Sequence, residues 1–149
     1  MTDKATSLVA QSKKWASSYG AYPNGAEGTV LTIPLRAGAA WNDNDATAFA
    51  QLFTADGSDL IGDRQLHGPD DIADYLTQAF AGAYKGSTLK QTPIEVKLLT
   101  HDVAIAITEG GFIPVGESDD SSPNEHRAVW VIVKQVGDWK LFSHQTSPR

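Results

Sequence analysis

Apolar and polar residues alternate at every second position in the second half of the chain, over residues 87–99, 103–112, 127–136 and 139–146. A period of two is the pattern of β-strands that bury one face. His101-Asp102 and Gly137-Asp138 are short enough to form hairpin turns between neighbouring strands. The pattern therefore predicts long antiparallel strands, and any fold for this chain must cover one face of their sheet.

Helical spacing replaces this alternation in the first half of the chain. Apolar residues from Ile33 to Trp41 recur at intervals of three and four residues. Because Pro34 fits a helix only in its first turn, we predict a helix that begins near Thr32. Asp45 is the predicted N-cap of a second, short helix that ends near Asp56-Gly57.

A short hairpin and a third helix follow. Residues 58–62 and 65–67 have the composition of two short strands around the turn Gly62-Asp63-Arg64. Gly68-Pro69-Asp70-Asp71 then places a proline in a first helical turn and two acids where the helix dipole favours negative charge. Apolar residues continue along one helical face to Ala83. We therefore predict a third helix from residue 68 onwards.

The order of these elements predicts one α+β domain. Three helices pack on the concave face of a strongly curved, mainly antiparallel sheet, which gives the molecule the form of a cone. A chain of 149 residues suits one domain with one core. Residues 1–28 carry scattered aromatics and contain the turn signal Pro23-Asn24-Gly25. We expect a partly ordered extension over residues 1–28 and the domain over residues 29–149.

Composition argues against several kinds of partner. The net charge is −6 and Lys and Arg do not cluster, so we expect no nucleic-acid partner. No apolar run has the length of a membrane span or of a signal-peptide core, so we expect no membrane contact and a cytoplasmic protein. Cysteine is absent, which excludes disulfides and thiol nucleophiles.

Four short motifs occur in order along the chain: AWNDNDA at 40–46, FAQLFTAD at 49–56, GPDDI at 68–72 and GDWKL at 137–141, followed by SHQ. Together they resemble the SgcJ/EcaC group of SnoaL-like proteins, within the nuclear-transport-factor-2-like superfamily. Residues 60–63, 84–87, 108–111 and 128–133 are similar to members from enediyne biosynthesis clusters. The resemblance extends over about residues 30–147.

The resemblance implies a cone-shaped, cystatin-like fold with a pocket inside the cone. It also implies a hydrophobic polyene or polyketide intermediate as ligand and a polyketide synthase as a possible partner. We expect a homodimer as well, because a curved sheet leaves an apolar outer face, either the row Ala104, Ala106 and Thr108 or its opposite, that pairing would cover.

Neither a cofactor nor a metal is predicted. The sequence contains no G-x-G-x-x-G segment that would cradle the phosphates of a dinucleotide. The four histidines, at positions 67, 101, 126 and 144, lack the two-histidine spacing of a metal site.

Glu109 and His144 are the candidate catalytic residues. Glu109 continues an apolar row of its strand, so it lies in the pocket if that row is concave and in solvent if it is not. His144 is the residue type that exchanges protons near neutral pH. It enters the pocket only if its face of the last strand, rather than the face of Ser143 and Gln145, turns inward.

Ligand-binding candidates are aromatic, apolar or polar residues expected near the pocket: Trp41, Leu60, Asp63, Tyr75, Phe80, Trp130, Ser143 and Gln145. In ketosteroid isomerases, which share the superfamily, a carboxylate on the first strand after the second helix acts as the base. The matching position here is Ile61, and the nearest acids, Asp59 and Asp63, are displaced by about two residues. We therefore do not expect that mechanism.

Three functions stay open at this point. The first is a cofactor-independent tailoring protein of cyclase or isomerase type that binds a polyene and assists proton transfers. The second is a non-catalytic carrier or accessory partner of a polyketide synthase, which would dock through the acidic loop at residues 116–125. The third is a dimeric scaffold whose pocket is filled by its own side chains.

Overall fold

The structure is a computed structural model that describes residues 25–61, 63–116 and 126–148. Within these residues the elements are, in chain order, α1 (Gly25–Asn42), α2 (Ala46–Ala50), β1 (Phe53–Ile61), β2 (Arg64–His67), α3 (Gly68–Phe80), β3 (Thr88–Leu98), β4 (Val103–Ile113), β5 (His126–Gln135) and β6 (Asp138–Pro148). Residues 1–24 of the predicted extension and residues 117–125 of the acidic loop lie outside the described residues.

The six described strands form one sheet in the order β2-β1-β6-β5-β4-β3. All neighbouring strands are antiparallel except β1 and β6, which run parallel. The four long strands predicted from the alternation are confirmed as β3 to β6. The parallel β1–β6 contact joins the β1–β2 hairpin to these strands and makes the sheet mixed.

The helices cover one face of this sheet. Helix α1 packs against β3, while α3 packs against α2 and β1. Alternate residues of the central strands enter the resulting core, and Ala104, Ala106, Trp130 and Ile132 are each at most 1% exposed. The predicted α+β class, with helices against a curved and mainly antiparallel sheet, is confirmed.

Helix α3 follows its sequence signals. Pro69 lies in the first turn, and the Asp71 carboxylate accepts a hydrogen bond of 2.9 Å from the backbone N–H of His67. Ile72, Leu76 and Phe80 form its buried stripe. The helix ends at Phe80, a few residues before the predicted limit.

The predicted start of the first helix is wrong, because α1 begins at Gly25 and contains Pro34 in its interior. An interior proline costs about 3 kcal/mol. Val30, Leu31 and Ile33 are at most 1% exposed, and burial of each such side chain contributes about 1.5–3 kcal/mol. Packing around the proline therefore outweighs the lost hydrogen bond. The domain boundary predicted at residue 28 falls within this helix.

The predicted end of the second helix is also wrong. Helix α2 is capped by Asp45, as predicted, but it ends at Ala50, and residues 53–61 form β1. The backbone N–H of Leu141 donates to the carbonyl of Leu52 at 2.8 Å, and Phe53 pairs with Leu141 in the sheet. Pairing with a strand far along the chain overrides the local helical spacing.

The sheet has an inner and an outer face that the alternation alone did not distinguish. Ala104, Ala106 and Thr108 are buried beneath the helices, so this row is not the outer face. The alternate residues Val103, Ile105, Ile107 and Glu109 form the outer row of β4, and each is half-buried. The predicted homodimer stays a prediction.

Candidate active site

A cavity of about 250 Å³ lies between the helices and the concave face of the sheet. Its wall is mainly apolar and aromatic, with a few polar groups. The residues that line it are Trp41, Phe49, Leu60, Ile61, Tyr84, Leu89, Lys90, Gln91, Thr108, Gly110, Gly111, Phe112, His126, Ala128, Trp130, His144 and Thr146. A wall of this kind suits a flat, apolar molecule held by a small number of polar contacts.

His144 and Asp59 form a buried pair at this wall. The two residues are register partners on the parallel strands β6 and β1, and His144 Nδ1 lies 2.8 Å from Asp59 Oδ1. Asp59 is fully buried and His144 is 7% exposed. Because buried carboxylates need a partner, this contact fixes both side chains.

The contact also determines which imidazole nitrogen can act on a ligand. When Asp59 is ionised and the imidazole is neutral, the Nδ1–H group donates a hydrogen bond to the carboxylate. Nε2 then carries a lone pair and can accept a proton. Nε2 has no hydrogen-bond partner among the described residues. Since His144 lines the cavity, Nε2 is the atom through which it can exchange a proton with a bound molecule.

Trp130 holds the imidazole from one side. The ring centroids of Trp130 and His144 are 3.9 Å apart, with 31° between the ring planes. The indole N–H of Trp130 donates to Thr108 Oγ1 at 2.9 Å. Thr108, Trp130 and His144 therefore form a continuous inner layer across the neighbouring strands β4, β5 and β6.

A β-bulge in β6 turns His144 inward. Val131 pairs with Ser143 and Ile132 pairs with Leu141, so β6 contains one extra residue, Phe142, at this point. Strict alternation would place Leu141 and His144 on opposite faces. The bulge brings both to the concave side, where Leu141 is 0% exposed.

Ser143 and Gln145 were predicted to bind a ligand, and neither lines the cavity. Gln145 Nε2 donates to Ser143 Oγ at 3.0 Å and lies 3.4 Å from Ser58 Oγ. These side chains occupy the face of β6 opposite His144 and bond to one another.

Glu109 lies on the outer face of the sheet, which is one of the two orientations that the sequence left open. Its neighbours Thr108 and Gly110 line the cavity, whereas Glu109 does not. Its carboxylate accepts a hydrogen bond of 2.9 Å from Arg127, and the two side chains are 29% and 55% exposed. Glu109 and His144 therefore lie on opposite faces of the sheet.

The other predicted ligand contacts divide into two groups. Trp41, Leu60 and Trp130 line the cavity. Asp63, Tyr75 and Phe80 do not line it. Asp63 is exposed in the turn after β1, and Phe80 packs edge-on against Trp41 within the core, 5.1 Å between ring centroids. Tyr75 is half-buried beneath the Arg64 guanidinium.

Tyr84 lines the cavity and was missed from the sequence. Its ring packs against Trp41 and Phe112 at centroid distances of 5.3 and 4.7 Å. Burial is the main cause that raises the pKa of Tyr84 above its ordinary value of 10.0. Tyr75, through charge and a side-chain hydrogen bond, and the charge of Asp63 raise this pKa further.

The AWNDNDA motif fixes the loop that carries Tyr84. Trp41 Nε1 donates to Ser87 Oγ at 2.9 Å, and Asn44 Oδ1 accepts from the backbone N–H of Gly86 at 2.7 Å. Asn42 Oδ1 accepts from the backbone N–H of Leu89 at 2.8 Å. The motif that carries the family resemblance thus has a structural role beside the cavity.

Gly110 allows β3 and β4 to approach closely at the cavity wall. Its φ is +146°, and a Cβ at this position would lie 2.1 Å from the carbonyl oxygen of Lys90. Nearby, Gln91 Nε2 donates to the carbonyl of Pro34 at 2.7 Å, which fixes the amide orientation. Gln91 Oε1 is buried without a partner among the described residues.

Asp59 is the functional candidate that sequence reasoning set aside. Its spacing from the second helix did not match the isomerase base, and no local pattern shows that β1 pairs with β6. The available signal was a charged residue directly before the apolar pair Leu60-Ile61, in a segment predicted to be a strand. Such a residue is buried only if another residue pairs with it.

The described part of the chain carries neither a metal-ligand cluster nor a membrane-spanning helix. No group of three or more His, Cys, Asp and Glu side chains there is arranged to hold a metal ion. None of the helices that the structure describes has the length and hydropathy needed to cross a bilayer.

Solved structures share this fold at low sequence identity. A cystatin-like domain of unknown function from Nostoc punctiforme superimposes with a TM-score of 0.77 at 19% identity, over 86% of this chain and 80% of that chain. A candidate scytalone dehydratase from Novosphingobium aromaticivorans gives a TM-score of 0.67 at 14% identity, over 81% of this chain and 82% of that chain.

Another similar structure is a candidate calcium/calmodulin-dependent protein kinase II association domain from Xanthomonas campestris. It has a TM-score of 0.66 at 21% identity, over 87% of this chain and 92% of that chain. No curated protein sequence matches the chain. The model of the SnoaL-like domain matches residues 30–149, which is most of the chain. The chain therefore belongs to the SnoaL-like domain family.

Proposed function

We propose that this protein binds a flat, apolar polyketide-type molecule in its cavity and transfers a proton on that molecule without a cofactor. His144 is the proton-transferring residue and Asp59 is its positioning partner. The observation that carries the proposal is the 2.8 Å contact between the two residues at the wall of an apolar cavity.

The proton transfer follows from the arrangement of the pair. His144 Nε2 removes a proton from a carbon next to a carbonyl group, and the C–H electron pair moves toward the carbonyl oxygen. The imidazolium that forms is stabilised by the Asp59 carboxylate at Nδ1 and by the face of Trp130. His144 then returns the proton to another carbon or to the oxygen, so the substrate is isomerised and the protein is unchanged.

The cavity wall strengthens these interactions. Trp41, Phe49 and Phe112 contribute aromatic surface, which excludes water and gives a conjugated molecule a matching surface. An ion pair formed in such surroundings is less screened than one at the protein surface. The His144 imidazole, together with the Asp59 carboxylate, can therefore remove a proton from a weakly acidic C–H group.

Family membership and the similar structures support this class of function. The fold is shared with a candidate scytalone dehydratase at 14% sequence identity. The finer hypothesis is that the substrate is a linear or cyclising polyene from an enediyne pathway, and it rests on the motif resemblance.

Deuterium exchange tests the proton transfer directly. 2-Tetralone is a flat bicyclic ketone with acidic α C–H groups, and NMR follows their exchange in D₂O. We expect the wild-type protein to accelerate exchange and His144→Gln to reduce that acceleration by about a hundredfold or more. His101→Gln is the matched control, because His101 is exposed and lies outside the cavity lining. Equal rates for His144→Gln and wild type would contradict the proposal.

A linear polyene from an enediyne synthase tests the substrate class. Mass spectrometry and ultraviolet absorption of the recovered ligand would show a changed mass or a shortened chromophore if the protein processes it. Intact polyene together with quenched tryptophan fluorescence would instead favour the carrier function. The absence of both signals would contradict the polyene hypothesis.

We further propose a symmetric homodimer, with a polyketide synthase as a possible partner. Val129 and Phe142 are 37% and 40% exposed, and they add to the outer apolar surface of the sheet. Light scattering at micromolar concentration is expected to give twice the chain mass of 16.0 kDa. A monomer mass would contradict the dimer.

A further inference from the structure

Thr108 is a second polar group of the cavity wall, on the other side of Trp130 from His144. It lies on β4, it is 2% exposed, and it lines the cavity. Trp130 donates its indole N–H to Thr108 Oγ1 at 2.9 Å. This contact uses the only donor of the indole and one acceptor position of the hydroxyl.

The hydroxyl hydrogen of Thr108 has no acceptor in the part of the chain that the structure describes. A threonine hydroxyl has one donor and two acceptor positions. Within residues 25–61, 63–116 and 126–148, the hydroxyl of Thr108 donates to no acceptor. Buried polar hydrogens normally have an acceptor. The hydrogen bond from the Trp130 N–H restricts the directions in which the Thr108 hydroxyl hydrogen can point. Because Thr108 faces the cavity, a bound molecule can supply the missing acceptor.

We propose that the Thr108 hydroxyl donates a hydrogen bond to a carbonyl oxygen of the ligand, which makes the ligand a ketone or a conjugated enone. This inference rests on the proposed function and names the substrate class of the same site. Threonine suits the task, since its branched side chain is restricted at χ1 on a strand. The hydroxyl is therefore oriented before the ligand arrives.

The positions of Thr108 and His144 fit two ends of one reacting group. Strand β5 separates β4 from β6, so the two backbones are roughly 10 Å apart at ordinary strand spacing. Both side chains extend to the same cavity. When His144 Nε2 takes a proton from carbon, the electron pair moves to the carbonyl oxygen, and the Thr108 O–H bonds to the enolate oxygen that results.

Tyr84 differs from Thr108 in one respect. The Thr108 hydroxyl is held by a hydrogen bond of 2.9 Å from the Trp130 N–H, whereas the Tyr84 ring is held by packing against Trp41 and Phe112. Thr108 is also joined through Trp130 to the imidazole that we propose as the proton acceptor. The carbonyl-binding role is therefore assigned to Thr108.

Binding of a matched ligand pair tests the assignment. 2-Tetralone carries a ketone, and tetralin has the same bicyclic skeleton without it; calorimetry gives the affinity of each. We expect Thr108→Val to weaken 2-tetralone binding about tenfold, the loss of about one hydrogen bond, while tetralin binding stays within twofold. Thr108→Ser keeps a hydroxyl and should recover most of the ketone affinity. Equal weakening of both ligands, or equal affinity of the wild type for both, overturns the proposal.

Replacement of Thr108 also leaves the Trp130 N–H without its acceptor. Thr108→Val is therefore also made in a variant that already carries Trp130→Phe. In that background the orphaned donor is absent. If Thr108→Val still weakens 2-tetralone selectively, the hydroxyl acts on the ligand. If the selective loss disappears, Thr108 acts only through Trp130 and the assignment is wrong.

Failure of the two proposals can be told apart. Selective loss of ketone affinity in Thr108→Val, with unchanged deuterium exchange in His144→Gln, would remove the proton transfer and keep the ketone site. Slower exchange in His144→Gln, with equal effects of Thr108→Val on both ligands, would keep the proton transfer and remove the ketone site.

Discussion

Two contacts between a carboxylate and a basic side chain, of nearly equal distance, lie on opposite faces of the same sheet. Asp59 and His144 are 2.8 Å apart with side chains 0% and 9% exposed, whereas Glu109 and Arg127 are 2.9 Å apart with side chains 29% and 55% exposed. Distance alone would rank them together. Burial separates them, because water screens the outer pair and replaces its lost contacts, while the inner pair has no such substitute.

The comparison shows where chemistry can reside in this fold. The outer pair joins β4 to β5 and faces solvent. The inner pair joins β1 to β6 and borders a cavity.

Removal of one partner from the inner pair should destabilise the protein strongly. We expect Asp59→Ala to lower the free energy of unfolding by about 3–5 kcal/mol, because a buried polar partner loses its contact and a cavity is left. Urea unfolding measures the change. Glu109→Ala is the matched control, and equal losses in the two variants would contradict the distinction between the faces.

Gly110 sharpens the comparison, since it is the inward neighbour of Glu109. We expect Gly110→Ala to cost about 2–3 kcal/mol, because its Cβ would meet the Lys90 carbonyl at 2.1 Å and φ is +146°. Gly137→Ala is the control: φ is +83° there, but nothing lies within 4 Å of the new Cβ. A similar loss at both positions would show that φ alone, rather than close approach of the strands, sets the cost.

Tyr84 should make the stability of the protein fall at high pH. Its pKa is raised above 10.0, so the folded state holds this proton more tightly than the unfolded state. The resulting stability is fully present below about pH 10 and is lost as pH rises through the folded-state pKa. Urea midpoints from pH 8 to 11 should fall less steeply for Tyr84→Phe than for wild type. Parallel curves would show that burial of Tyr84 does not contribute.

The smallest effect is expected at the outer pair. Glu109→Gln should change the free energy of unfolding by no more than about 1 kcal/mol, since exposed ion pairs contribute little. It should leave the 2-tetralone exchange rate within twofold of wild type, because Glu109 does not line the cavity. A large loss of exchange would restore Glu109 as a catalytic candidate.

The sequence predicted the elements whose signals are local. The alternation predicted β3 to β6, and the proline and two acids at residues 69–71 predicted α3. Pro34 misled the prediction, since its effect on α1 depends on packing by residues that are distant in sequence. The fold class followed because these local signals agree with one another.

The site was less predictable, because three of its features depend on non-local contacts. Asp59 meets His144 only through the parallel β1–β6 pairing. His144 faces inward only because the bulge at Phe142 shifts the alternation. Glu109 faces outward because the helices cover the other side of β4. No periodicity in the sequence identifies the covered face, so the two alternatives for Glu109 were open until the fold was known.

Deuterium exchange of 2-tetralone shows whether the buried pair transfers protons when it is measured in the wild type, Asp59→Asn, His144→Gln and Glu109→Gln. We expect rapid exchange for wild type and Glu109→Gln, a loss of about a hundredfold or more for His144→Gln, and a smaller but clear loss for Asp59→Asn, which keeps the shape of the side chain but not its charge. Wild-type rates in both His144→Gln and Asp59→Asn would contradict the assignment of proton transfer to the buried pair.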